Sequence, residues 1–241
     1  MSMGGRGGKC ALARKRRNHV IYAFTKAFAT LVFRACYRLR VQGIENLPHH
    51  GPAIILPKHQ YWTDIPIVSL ALRPQLNYVA KAELFRIPWV RTFLSLLGGI
   101  PVDRKKTTKT TESFRYLLHL VQGNGYVVIF PEGTYYRGHV GKGKSRLIKM
   151  ILRWQDHRGI DDGNTIQDHI PFVPMGIHYG RKGLRPVTTV RIGKPIFAEG
   201  EAEALRFTNQ IMESIARLSG LPRERHRSGR REISIHVRRS L

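Results

Sequence analysis

Ala53-Ile54-Ile55-Leu56-Pro57-Lys58-His59-Gln60-Tyr61-Trp62-Thr63-Asp64 decides how the rest of the chain is read. The unbroken apolar run reads as a buried strand, and a histidine and a carboxylate follow directly at its carboxyl end. The arrangement recurs downstream, where Tyr126-Val127-Val128-Ile129 leads into Phe130-Pro131-Glu132-Gly133-Thr134. In open α/β sheets, chemistry gathers just beyond the carboxyl ends of strands.

Outward from these segments, strand and helix patterns alternate. Strands are predicted over 53–57, 76–80, 100–102, 126–130, 170–177 and 187–193. Helices are predicted over 19–39, 65–72, 83–96 (interrupted at Pro88), 145–155 and 201–218. Phe114, Leu117, Leu118 and Val121 form the i, i+3, i+4, i+7 stripe of a further half-buried helix, which Gly123 and Gly125 end. Such alternation predicts an α/β domain with a central, largely parallel or mixed sheet flanked by helices. The polar stretch 157–169 reads as an insertion or lid.

At 241 residues the chain is long enough to bury a full core, and its 42% hydrophobic content argues against disorder. The formal charge of +25 predicts a polyanionic partner: nucleic acid, an anionic bilayer, or acidic substrates and carriers. Cys10 and Cys36 make neither a disulfide framework nor a zinc-ligand pattern, which implies a reducing compartment. Residues 1–40 combine a basic arm with the apolar stretch Val20 to Tyr37. Lys26 and Arg34 interrupt that stretch, so it falls short of the ~20 apolar residues of a membrane span. An amphipathic docking helix in the membrane interface and an ordinary packed helix both fit it; Lys26 also breaks the apolar core that a signal peptide needs. The expected division is a basic arm and membrane-associating helix over 1–40, an α/β domain over 41–221, and a basic tail over 222–241.

On a regular helix of about 3.6 residues per turn, His59 and Asp64 would point about 140° apart, so they meet only across a turn. Here a turn is expected, because His59 follows a strand and Asp64 stands where it can cap the next helix. One imidazole nitrogen would then be held by the carboxylate, leaving the other free to take a proton. Spacing alone proves little, since His157 and Asp162 repeat it inside a polar loop. Near the second segment, Gly133 permits a sharp turn, and Arg137, Lys142, Lys144 and Arg146 suit a phosphate monoester. Gly138 to Ser145 also satisfies the P-loop pattern, but Pro131 to Arg137 intervene after the strand, where a true P-loop has none. The terminal arms resemble phosphate-binding tails, yet no RNA-binding or helix-turn-helix pattern accompanies them.

In order along the chain, four blocks resemble those of the 1-acylglycerol-3-phosphate (lysophosphatidate) acyltransferases among the glycerolipid acyltransferases. They are His59 with Asp64, Gly98 to Arg104, Phe130 to Thr134, and Val173-Pro174-Met175-Gly176. The resemblance spans about residues 40 to 195, with Ala80 to Leu84 resembling a further family segment. It departs at Tyr135, where the family has arginine; Arg137 stands two positions on. The resemblance implies transfer of a fatty acyl group from acyl-CoA or acyl carrier protein to a lysophospholipid hydroxyl, giving phosphatidic acid. His59 would be the base and Asp64 its orienter, while Lys81, Arg104, Glu132, Gly133, Thr134 and Arg137 would bind the acceptor. It implies no metal, no cofactor beyond the thioester co-substrate, and no specific nucleic acid. It also implies a peripheral or monotopic place on the cytoplasmic face of the membrane.

Overall fold

The computed structural model describes residues 38–88, 91, 94, 98–102, 107–161, 169–180 and 186–224. Seven strands form one mixed sheet: β1 (Arg38–Gln42), β2 (Ala53–Pro57), β3 (Leu76–Lys81), β4 (Ile100–Val102), β5 (Tyr126–Val128), β6 (Phe172–Gly180) and β7 (Val187–Ile192). Their spatial order is β1-β7-β6-β2-β5-β3-β4. β6, β2, β5, β3 and β4 pair in parallel, β7 runs antiparallel to β6, and β1 is parallel to β7.

The central strand β2 is buried along its whole length, with successive side chains in opposite cores. Ile54 and Leu56 join Val127, Ile129 and Phe172 on one face, beneath the helices α2 (Thr107–Gln122), α3 (Ser145–Asp161) and α4 (Ala204–Ser219). Ala53 and Ile55 join Val128, Val173 and Met175 on the other, beneath α1 (Asp64–Ala71). The result is a three-layer α/β sandwich. α4 buries Phe207, Ile211, Met212 and Ile215 at helical spacing and ends at Gly220, whose left-handed φ of 65° closes the last turn.

Several boundaries differ from the sequence reading. Arg38 and Leu39, expected at the end of a helix, open β1, an edge strand whose mostly exposed residues carry little periodic signal. Residues 1–37, including the expected docking helix, lie outside the described residues. α3 continues to Asp161, so the expected lid begins as helix; His157 is helical, and Asp162 lies outside the described residues. The start of the basic tail is tied down: Val140 N–H donates to the Pro222 carbonyl and Glu224 N–H to that of Val140.

Candidate active site

Because β2 and β5 are adjacent and parallel, the segments beyond them emerge side by side. His59 is 9% exposed, and its Nδ1 lies 3.1 Å from Asp64 Oδ2. The same oxygen accepts the N–H groups of Gln60 and Tyr61, while Oδ1 accepts the Tyr179 hydroxyl. With those donors on the carboxylate, the network assigns the imidazole proton to Nδ1. Nε2 is left as the proton acceptor. Asp64 was expected to cap α1, yet it occupies the first helical position and folds backward over its own loop. That is the turn which lets His59 and Asp64 meet.

Glu132 corrects the sequence reading. It was expected to touch the acceptor, but its side chain is fully buried against Lys58, also fully buried, with Nζ 2.8 and 2.9 Å from the two carboxylate oxygens. Glu132 also accepts the N–H groups of His59 (2.9 Å) and Gly141 (2.8 Å). Lys58 donates further to the carbonyls of His59 and Tyr136. The pair therefore meets the demand that buried charges be matched and fully hydrogen-bonded. Burial pushes the Lys58 ammonium below its ordinary value, while Glu132 pulls the other way. The His59 backbone is thus clamped at both its N–H and its carbonyl, the latter also accepting from Tyr136 N–H.

The His59 ring is stacked on Phe130 at 3.9 Å between centroids and covered by Tyr135 at 4.3 Å. Burial, aided by the Asp64 charge, raises the Tyr135 phenol above its ordinary value.

His59 opens on a cavity of about 360 Å³. Among the described residues its wall is largely apolar, with Tyr78, Leu84, Leu94, Ile129, Leu147 and Ile148 prominent, and none of those described is a carboxylate, serine or cysteine. Lys81, Gly133, Thr134, Lys144 and Arg146 line this cavity. Gly133 supports the turn with a φ of 66°. Arg137 is not among the lining residues; its guanidinium lies 5.0 Å above the Tyr61 ring. Arg104 lies outside the described residues. Among the described residues, no three of histidine, cysteine, aspartate and glutamate are grouped to hold a metal.

Sequence reasoning missed Lys58 and Tyr179. Lys58 stood in the quoted block with nothing to mark its partner 74 residues away. Tyr179 reaches Asp64 from the end of β6, and no local pattern distinguishes it from other strand tyrosines.

A histidine whose Nδ1 is held by a buried carboxylate, set at strand ends over an apolar cavity, is chemically able to take a proton from a bound hydroxyl. Comparison with known proteins narrows this chemistry: the acyltransferase family model matches residues 38–178, and the chain belongs to that family. The chloroplastic 1-acyl-sn-glycerol-3-phosphate acyltransferase of Arabidopsis thaliana is 28% identical over 122 residues, half of this chain and 33% of that protein. The 1-acyl-sn-glycerol-3-phosphate acyltransferase of Bacillus subtilis is 33% identical over 97 residues, 40% of this chain and 48% of that one. The matches thus span a third to a half of these relatives' length. The crystal structure of the 1-acyl-sn-glycerophosphate acyltransferase PlsC from Thermotoga maritima superposes with a TM-score of 0.59 at 21% identity. It covers 86% of this chain and 84% of that one, a likeness of fold.

Proposed function

We propose that the protein transfers a fatty acyl group from a thioester, acyl-CoA or acyl carrier protein, to the free hydroxyl of 1-acylglycerol 3-phosphate, forming phosphatidic acid in phospholipid synthesis. The observation that carries this reading is the His59–Asp64 pair opening on an apolar cavity with a cationic rim. The names of the similar proteins point to the same acceptor.

In the reaction, Nε2 of His59 takes the proton of the acceptor hydroxyl as its oxygen attacks the thioester carbonyl. The C–S bond breaks, and the departing thiolate takes that proton back from the imidazolium. Asp64 holds the ring and stabilises its positive charge. Direct transfer is the step proposed, since among the described residues of the wall no serine or cysteine stands beside His59 to form an acyl-enzyme. The step needs no metal and no cofactor beyond the thioester.

The setting proposed is the cytoplasmic face of the membrane, with peripheral or monotopic attachment. Supporting this are the charge of +25 and the exposed Trp62, Leu84 and Tyr135 on segments around the cavity. Among the described residues, no helix is long and apolar enough to cross a membrane.

Turnover of acyl-CoA and lysophosphatidate by wild type and His59→Ala tests the reading. The variant is expected to lose ~10²–10⁴-fold in kcat, and full activity without His59 sinks the mechanism. The nucleotide-binding alternative has no structural support: β5 ends at Val128, well before the P-loop-like Gly138 to Ser145.

A further inference from the structure

We propose that Tyr135 is a positioning residue for the base: its ring holds the His59 imidazole against Phe130 and so aims Nε2 into the cavity. The inference rests on the acyltransferase reading above. Hydrogen bonds already limit the imidazole. The His59 N–H donates to Glu132, its carbonyl accepts from Lys58 Nζ, and its Nδ1 is held by Asp64. A ring fixed at its root and at one nitrogen can still rock out of its plane. Such rocking moves the far edge of the ring, which carries Nε2.

The aromatic neighbours close that freedom. Phe130 stacks on the imidazole at 25° and 3.9 Å between centroids, and Tyr135 meets it at 54° and 4.3 Å. At such distances one imidazole face has room for one six-membered ring, so Phe130 and Tyr135 hold different sides. The loop builds this placement of Tyr135. Gly133, with its left-handed φ of 66°, turns the chain after β5. Tyr136 N–H then donates to the His59 carbonyl at 3.0 Å, and the Tyr136 carbonyl accepts from Lys58 Nζ at 2.7 Å. Those bonds carry the preceding residue, Tyr135, over the base.

Phe130 also packs against the core that Ala53, Ile55 and Val128 share, so its loss would disturb the fold. Tyr135 is 51% exposed, and its ring can be removed with little effect on stability. It stands where the resembling blocks have arginine, so the family pattern does not supply this contact. Proton transfer needs Nε2 within about 2.6–3.2 Å of the hydroxyl. A misplacement of ~1 Å can cost ~10²-fold in rate.

The test compares wild type with Tyr135→Ala, Tyr135→Leu and Tyr135→Phe in the acylation of lysophosphatidate by acyl-CoA. The alanine and leucine variants are expected to lose ~10-fold or more in kcat, with both KM values little changed. Tyr135→Phe keeps a flat ring and should keep most of the kcat. Urea midpoints should stay together, which separates positioning from unfolding. NMR of isotope-labelled histidine rings supplies a readout besides activity, the His59 signal being the one absent from His59→Ala. That signal should be sharp in wild type and Tyr135→Phe and broadened in the alanine and leucine variants. Full kcat without the ring, an equal loss in Tyr135→Phe, or a raised KM at unchanged kcat overturns the assignment. Wild type that leaves lysophosphatidate unacylated sinks the acyltransferase reading instead. The His59 signal then decides the positioning role, and an unbroadened signal in Tyr135→Ala overturns it.

Discussion

Lys58 and Glu132 are both fully buried, and what they support is the residue between them and the cavity, His59. Breaking a buried pair by removing one partner leaves an uncompensated charge and costs about 3–5 kcal/mol. Lys58→Met should therefore lower stability by about that amount in urea denaturation. The double replacement Lys58→Met/Glu132→Met should recover much of the loss, because two apolar chains fill the space without charge. Activity should stay low in the double variant, since the His59 N–H loses its acceptor and the imidazole its fixed position; a return of full turnover would refute the positioning role. Tyr179 acts one step further out, through Asp64. Tyr179→Phe removes the hydroxyl that donates to Asp64 and also bonds the Thr63 hydroxyl, each contact worth about 1 kcal/mol. It should lower kcat several-fold with little change in KM, and an effect on KM alone would count against it.

At the scale of elements, the fourth sequence block lies away from the cavity wall: Val173 to Gly176 fall in the first half of β6, with Val173 and Met175 in the core beneath α1 and Gly176 against the end of α4. A Cβ at Gly176 would lie 2.3 Å from the Leu218 carbonyl carbon and 2.5 Å from the Ser219 nitrogen. Those atoms are helix backbone, which cannot swing aside as a side chain can. Gly176→Ala should cost about 1–3 kcal/mol of stability, read as a lower urea midpoint. The lysophosphatidate KM of the folded fraction should be unchanged. Elements with strong periodicity were legible in the sequence: β2, β4 and the stripe of α2 fall where they were expected. β1 was not, because an edge strand with one half-buried and four exposed residues resembles any polar stretch.

For the whole molecule, the relevant quantity is the excess of 41 lysines and arginines over 16 acidic residues. Each basic residue near an anionic bilayer contributes ~1 kcal/mol, and salt screens the attraction beyond ~8 Å at ~0.15 M. Adsorption to phosphatidylserine vesicles should fall steeply as salt is raised, while binding to neutral vesicles should be weaker and nearly salt-independent. Co-sedimentation measures both. Stronger retention by RNA than by anionic vesicles at equal charge density would redirect the charge to a nucleic-acid partner.

The α/β class, the two strand-end segments and the candidate pair His59 and Asp64 can be read from the chain alone. Those follow from local rules: apolar runs make strands, and residues just beyond strand ends are held where a ligand can reach them. Tertiary structure decided everything that depends on which strands become neighbours. By placing β5 and β6 on either side of β2, it brought Glu132 to Lys58 and Tyr179 to Asp64, and both contacts span more than seventy residues. It also turned Glu132 inward and put Lys144 and Arg146, rather than Arg137, on the cavity wall. The reason is physical: burial, pairing of charges and the aim of a side chain arise from packing between distant segments, and local spacing carries no record of it.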